Sequence, residues 1–168
     1  MDDAPPAACP VGGERSLTSG EIALARTVFG NAIEYSSVLL KRRKWWPFQP
    51  KRVAMAPNGN IYFHPEGRAY CDDYAFQPLS VQGFFIHEMT HVWQTQTKGR
   101  WFLILKRHPF CSYSYSLKPG AALEDYGIEQ QAEIVKHAFM LRHGAQIPGV
   151  GDKAAYDRLV AFAGATLN

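Results

Sequence analysis

His87-Glu88-Met89-Thr90-His91 is the stretch on which the reading of this chain turns. Four residues of α-helix rotate the chain by about 400°, so His87 and His91 leave one face, one turn apart. Two imidazoles placed in this way can each give a ring nitrogen to one tetrahedral Zn²⁺. Glu88 points about 100° away along the same wall, where it can reach a water beside the metal without being a ligand. With six histidines in 168 residues, chance supplies the pattern only about 0.01 times. The plain alternative is two histidines that are merely neighbours on a core helix. It leaves a glutamate on a buried helix without an explanation.

The flanks predict that helix. Apolar residues at 81, 84, 85, 89, 92 and 93 suit burial around much of the circumference over about 80–98, with Ser80 as N-cap and Gly99 as stop. Upstream, Thr18 and Glu21 form a capping-box signature before a short amphipathic helix that carries Ile22, Ala25 and Phe29 and ends near Gly30. Residues 33–41 read as a strand. Residues 52–56 and 61–65 around Asn58-Gly59 read as a β-hairpin, whose edge could align an extended peptide; His64 at its end is a candidate site residue, though a lone histidine at a strand end is more often structural. Residues 110–117 alternate as a strand or extended loop. A long helix follows from about Ile128 to His143, and a short one over about 152–164 packs on the outside of the core. The expected architecture is α+β, a single helical domain over 17–168 with a small antiparallel sheet or hairpin beside the motif helix. A flexible segment rich in Pro and Gly, residues 1–16, precedes it.

Composition narrows the classes. No apolar run approaches the roughly 20 residues of a membrane span. The acidic, proline-rich start at Met1-Asp2-Asp3 has no basic n-region or apolar h-region, which excludes a Sec signal peptide and leads us to expect a protein cytoplasmic in its producer. Cys9, Cys71 and Cys111 include no C-x-x-C pair, so neither a disulfide scaffold nor a thiolate zinc site is expected. A single Cys71–Cys111 bridge could form in an oxidising compartment, but reduced thiols are the expectation, and Cys9 falls in the flexible segment. Six of the twelve residues from Lys41 to Arg52 are basic and flank Trp45-Trp46. Such a run could hold an anionic partner. The simpler reading is a solvated strand end followed by two tryptophans packing down, and no nucleic acid is expected.

A catalytic zinc site needs a third protein ligand and one open position. No histidine follows His91 at the x-x-G-x-x-H offset, which excludes the metzincin arrangement. An acid from another helix remains, and Gly127-Ile128-Glu129-Gln130-Gln131-Ala132-Glu133 offers two. Glu129 borders the apolar stripe of Ile128, Ala132, Val135 and Phe139. With Glu129 as ligand, Glu133 one turn on is placed to accept a hydrogen bond from a ligating histidine. The opposite assignment is geometrically possible, and two solvated glutamates are the bland one.

H-E-x-x-H followed some tens of residues later by E-x-x-x-[DE] resembles the gluzincin peptidases. More closely, 17–26 (LTSGEIALAR), 55–59 (MAPNG), 87–94 (HEMTHVWQ) and 129–133 (EQQAE) resemble the small Vgr-related proteins. These are similar to the metallopeptidase domain fused to some type VI secretion spike proteins, and the resemblance spans roughly residues 17–145. It implies a zincin-like fold with Zn²⁺ on His87, His91 and Glu129. It implies Glu133 in the outer shell, where Asp is common. The implied activity is hydrolysis of a peptide or protein substrate with Glu88 as general base. Implied partners are a secretion spike protein or an immunity protein, with export by a type VI system; a monomer is expected. For the oxyanion donor Tyr126 is the first choice, with His108, Tyr113 and His137 as rivals. A different reading is a non-catalytic, zinc-stabilised module that docks on an anionic partner through residues 41–52.

Overall fold

Thr18 and Glu21 close the capping box at the start of α1 (Ser19–Phe29): Glu21 N–H donates to Thr18 Oγ1 at 3.0 Å and Thr18 N–H to Glu21 Oε2 at 2.9 Å. The same carboxylate does more than cap. It is fully buried, takes both Nη groups of Arg15 at 2.8 Å and accepts the Tyr74 N–H at 3.1 Å. Arg15 in turn donates to Tyr70 Oη and the Cys71 carbonyl, so one buried ion pair ties the start of the chain to the loop before the motif helix. Replacing Arg15 with Ala strands that carboxylate. A loss of about 3–5 kcal/mol in urea unfolding is expected, and a change below about 1 kcal/mol would show that the pair is not structural.

The computed structural model describes residues 8–106, 112–162 and 164–165. In chain order it contains β1 (Glu14–Ser16), α1, a 3-10 turn (Tyr35–Ser37), β2 (Leu39–Lys41), β3 (Ile61–Tyr62), α2 (Leu79–Lys98), α3 (Phe102–Lys106), a second 3-10 turn (Leu123–Asp125), α4 (Ile128–Arg142) and α5 (Lys153–Leu159). This is an α+β domain of helices with a small sheet, ordered β1-β2-β3. Among the described residues no helix is long and apolar enough to cross a membrane.

The sheet is mixed rather than built on a hairpin. β2 pairs antiparallel with β1, Arg15 opposite Leu40, and parallel with β3, Leu40 opposite Ile61. The turn at Asn58-Gly59 closes only one antiparallel bridge, Met55 with Tyr62. The next rung would need the Val53 carbonyl, which the Gln49 amide has taken at 2.9 Å. With β2 on one side of β3 and Met55 on the other, β3 has no open edge to receive a peptide. Upstream, chain pairing begins before Leu17. Cys9 is buried, its N–H on Asp72 Oδ1 and its carbonyl on Arg42, where flexibility was expected. Cys111, and with it the Cys71–Cys111 pairing, lies outside the described residues.

α2 begins two residues earlier than Ser80 suggests. Pro78 is the N-cap, because its fixed φ suits the position and its carbonyl accepts the Val81 and Gln82 N–H groups. Residues 85–95 of α2 are all buried, and Phe85, Ile86, Met89 and Val92 meet Ile134, Val135, Ala138 and Phe139 of α4 in one core. Gly83 allows that approach: a Cβ there would stand 3.0 Å from Met140 Sδ. α5 ends at Leu159, beside Arg142, which binds Asp157 and the Val160 carbonyl; Tyr156 and Val160 are core residues rather than an outer layer.

Candidate metal centre

The packing of α2 along α4 brings three donor atoms together. His91 Nε2 lies 3.2 Å, and His87 Nε2 3.4 Å, from the same oxygen, Glu129 Oε2. All three residues are buried, and one donor atom from each falls within 4.8 Å of the others. A tetrahedral ion with bonds of about 2.0–2.2 Å sets its ligand atoms about 3.3–3.6 Å apart. The oxygen-to-nitrogen spacings here are close to that edge, so the group can hold a metal ion. Glu88 sits beside it, 5% exposed, and its Oε2 has no hydrogen-bond partner among the described residues. A buried carboxylate oxygen left in that state is costly unless a water or ion completes it.

The imidazoles are oriented from behind. Gln94 Nε2 donates to the Ile128 carbonyl and to Gln131 Oε1, both at 3.0 Å, which fixes the amide so that Oε1 faces His91 Nδ1 at 2.8 Å. An amide oxygen only accepts, so a proton of His91 sits on Nδ1 and Nε2 is the nitrogen that faces Glu129 Oε2. Glu133 Oε1 lies 2.9 Å from His87 Nδ1, off the axis of a directed hydrogen bond. It reaches the ring nitrogen opposite the one that faces Glu129, which is where an orienting acid belongs. Burial alone would push the His87 pKa down; Glu129 and Glu133 outweigh it and hold the imidazole up at about 9. Burial would raise Glu133, yet His87 and Lys136 bring it well below the usual carboxylate range.

No protein-family model matches the chain. The effector domain of Pseudomonas aeruginosa VgrG2b superposes on it with a TM-score of 0.67 at 39% identity, covering 90% of this chain and 84% of that domain. The chain belongs to the VgrG2b effector-domain family. The type VI secretion system spike protein VgrG2b of the same organism is 44% identical over 137 residues, which is 75% of this chain and 13% of that protein. The chain thus spans a small part of the length of the spike protein it matches.

Within this VgrG2b-type domain, His87, Glu88, His91, Glu129 and Glu133 all meet at one place. Tyr126 lies near them, on the wall of a cleft of about 550 Å³ that Glu129 also lines, and its hydroxyl accepts the Lys118 N–H at 2.8 Å. Tyr113 is closer to the histidines, its ring stacked on His87 with centroids 6.2 Å apart. His137 lies behind Glu133: burial lowers its pKa, Nδ1 faces the Tyr115 hydroxyl and Nε2 lies 3.6 Å from Glu133 Oε2. Tyr115 also meets Tyr156 at 2.8 Å, and Gln130 Nε2 donates to the Ser114 carbonyl at 2.7 Å. These bonds strap the extended segment 112–117 across α4. His108 lies outside the described residues, and His64 is structural, accepting the Glu66 N–H.

Gln94 is the residue that sequence reasoning missed. Its signal was available, three positions after His91 on the same helix, but a glutamine after a motif reads as surface until its partners on α4 are known. Gln94→Leu keeps the volume and removes the His91 anchor. The affinity of the site for a divalent metal ion is expected to fall about 10–100-fold, measured by competition with a chromophoric chelator. Unchanged affinity would remove Gln94 from the site.

Proposed function

We propose that this chain is a zinc metallopeptidase of gluzincin type that acts as a type VI secretion effector. The observation that carries the peptidase reading is the convergence of His87 Nε2 and His91 Nε2 on Glu129 Oε2, at 3.4 and 3.2 Å, next to the uncompensated Glu88 Oε2. His87, His91 and Glu129 would hold the ion with two nitrogens and one oxygen, the donor set of a catalytic rather than a structural zinc site. Bound zinc supplies Lewis-acid polarisation of the scissile carbonyl and makes water acidic enough to be deprotonated near neutral pH.

The chain's own residues do the rest. Glu88 takes the proton of the attacking water and passes it to the leaving amine. Glu133 and Gln94 hold His87 and His91 in the tautomers that keep Nε2 available. Tyr126 is the candidate hydrogen-bond donor to the tetrahedral oxyanion, its oxygen engaged by Lys118. Tyr113 over His87 is the rival, and comparing kcat for Tyr126→Phe and Tyr113→Phe decides between them. The strapped segment 112–117 lies between two clefts of about 550 and 570 Å³, with Ser112 on one and Tyr113 to Leu117 on the other. It takes over the substrate-aligning part once expected of the hairpin.

The relative's description as a type VI secretion system spike protein supports export by that system with a spike protein as partner; an immunity protein as partner and residence in the cytoplasm of the producer before delivery belong to the same proposal. We take the chain to act as a monomer on a peptide or protein substrate. The test is to load the purified protein with zinc, digest a proteome-derived peptide library and read new termini by mass spectrometry. Zinc bound one-to-one, with cleavage that disappears on chelation and returns with zinc, is the expected result. Failure to retain zinc overturns the metal site. Stoichiometric zinc without cleavage favours the non-catalytic module instead.

A further inference from the structure

Trp45 and Trp46 do not pack down as their sequence context suggested. They are 39% and 44% exposed, and Phe48 beside them is 78% exposed. The loop that carries them is nevertheless tightly held. The side chain of Gln49, only 3% exposed, accepts the Trp45 N–H at 2.8 Å and donates to the Val53 and Tyr62 carbonyls. Trp45 rests edge-on against Tyr62, and Lys44 Nζ closes onto the Pro47 carbonyl. One buried amide thus spends its bonding capacity on fixing a loop whose large apolar side chains point to solvent. Around this tip stand Lys41, Arg42, Arg43, Lys44, Lys51 and Arg52, with no acid between Lys41 and Val53. Glu14 answers Lys41 and Arg43, and Glu66 answers Lys51. Arg42, Lys44 and Arg52 make no salt bridge among the described residues.

We propose that the 42–53 loop is a peripheral membrane anchor that seats Trp46 and Phe48 in the interface of a bilayer rich in anionic lipid. Aromatic side chains favour the headgroup boundary, and cations beside them are drawn to anionic headgroups. The shape of the tip favours lipid over nucleic acid. Trp46 and Phe48 meet edge-to-face at 67°, with centroids 5.5 Å apart, so they do not offer parallel platforms for successive bases. Val53, 37% exposed, extends the tip with aliphatic surface that a base cannot stack on. The proposal is independent of the zinc chemistry and needs no metal.

Flotation with phosphatidylcholine vesicles, with and without phosphatidylglycerol, tests it. The full chain is expected to float with the anionic vesicles and not with the neutral ones. Lys44→Glu/Arg52→Glu should weaken anionic partitioning by at least about 25-fold, roughly fivefold per lost cation. Trp46→Ser/Phe48→Ser should weaken it tenfold or more, because both side chains lose the apolar area that the interface would bury. Both pairs of positions are exposed, and circular dichroism matching the wild type confirms that the variants fold. No flotation with anionic vesicles at low salt overturns the proposal. So does flotation unaffected by Trp46→Ser/Phe48→Ser, which would mark plain charge attraction. A single-stranded oligonucleotide bound more tightly than the vesicles, and lost with the same aromatic pair, would assign the loop to nucleic acid.

Discussion

Glu88→Gln is expected to keep zinc at the wild-type level and to lower peptide hydrolysis by about 10²–10⁴-fold. The variant preserves shape and volume and changes one property, the ability to accept a proton. It touches none of the three atoms that converge on the ion position, since those belong to His87, His91 and Glu129. It also relieves a stress, because a neutral amide is cheaper to bury than a carboxylate whose Oε2 has no partner among the described residues. The folded protein is therefore expected to be as stable as wild type or slightly more so. Activity lost together with zinc would show that Glu88 is part of the ligand set. Activity retained would move the general base to another residue and leave the buried carboxylate without a role. The experiment reads metal content and turnover on the same sample, so the two outcomes separate.

How much of this was legible in the sequence follows from how local each feature is. A five-residue motif on a helix fixes its own geometry through helical pitch, so His87, Glu88 and His91 could be placed on one wall without tertiary information. The capping box of α1 is equally local. Glu129 needed the phase of a second helix, which the stripe of Ile128, Ala132, Val135 and Phe139 supplied; all four proved buried, with Glu129 1% exposed. What failed was long-range. The hairpin at Asn58-Gly59 has the right turn residues, but Gln49 removes the Val53 carbonyl from the ladder and β3 finds β2 in parallel instead. The place of Gln94 depends on Ile128 and Gln131 more than thirty residues away, and the exposure of Trp45 and Trp46 depends on an amide that no propensity registers. Each miss is a side chain that competes with backbone or core for a partner, a contest that local pattern does not describe.

Glu129→Ala is expected to weaken zinc binding by about 10²–10³-fold, as follows if the 10–16 kcal/mol typical of a structural zinc site is shared over four ligands. It should also change how that affinity depends on pH. In the metal-free protein Glu129 and Glu133 hold His87 protonated up to about pH 9. A metal needs the neutral ring, so each pH unit below about 9 lowers the wild-type affinity about tenfold, with one proton released per ion bound from His87. The sign for folding runs the other way. A histidine whose folded pKa is raised stabilises the metal-free fold fully below its unfolded value of about 6.5 and loses that contribution as the pH rises through about 9. On the order of 3 kcal/mol is at stake, counted once for the His87 ion cluster rather than for each partner. Raising the pH should thus weaken the apo protein while tightening the metal, and the gap in Tm between the two forms should widen. Removing the Glu129 carboxylate lowers the His87 pKa, so the variant should show weaker binding together with a shallower pH slope. A chelator competition at several pH values reads both quantities. Affinity and slope both at wild-type values would take Glu129 out of the ligand set and leave Glu133, which faces the other nitrogen of His87, as the next carboxylate to replace.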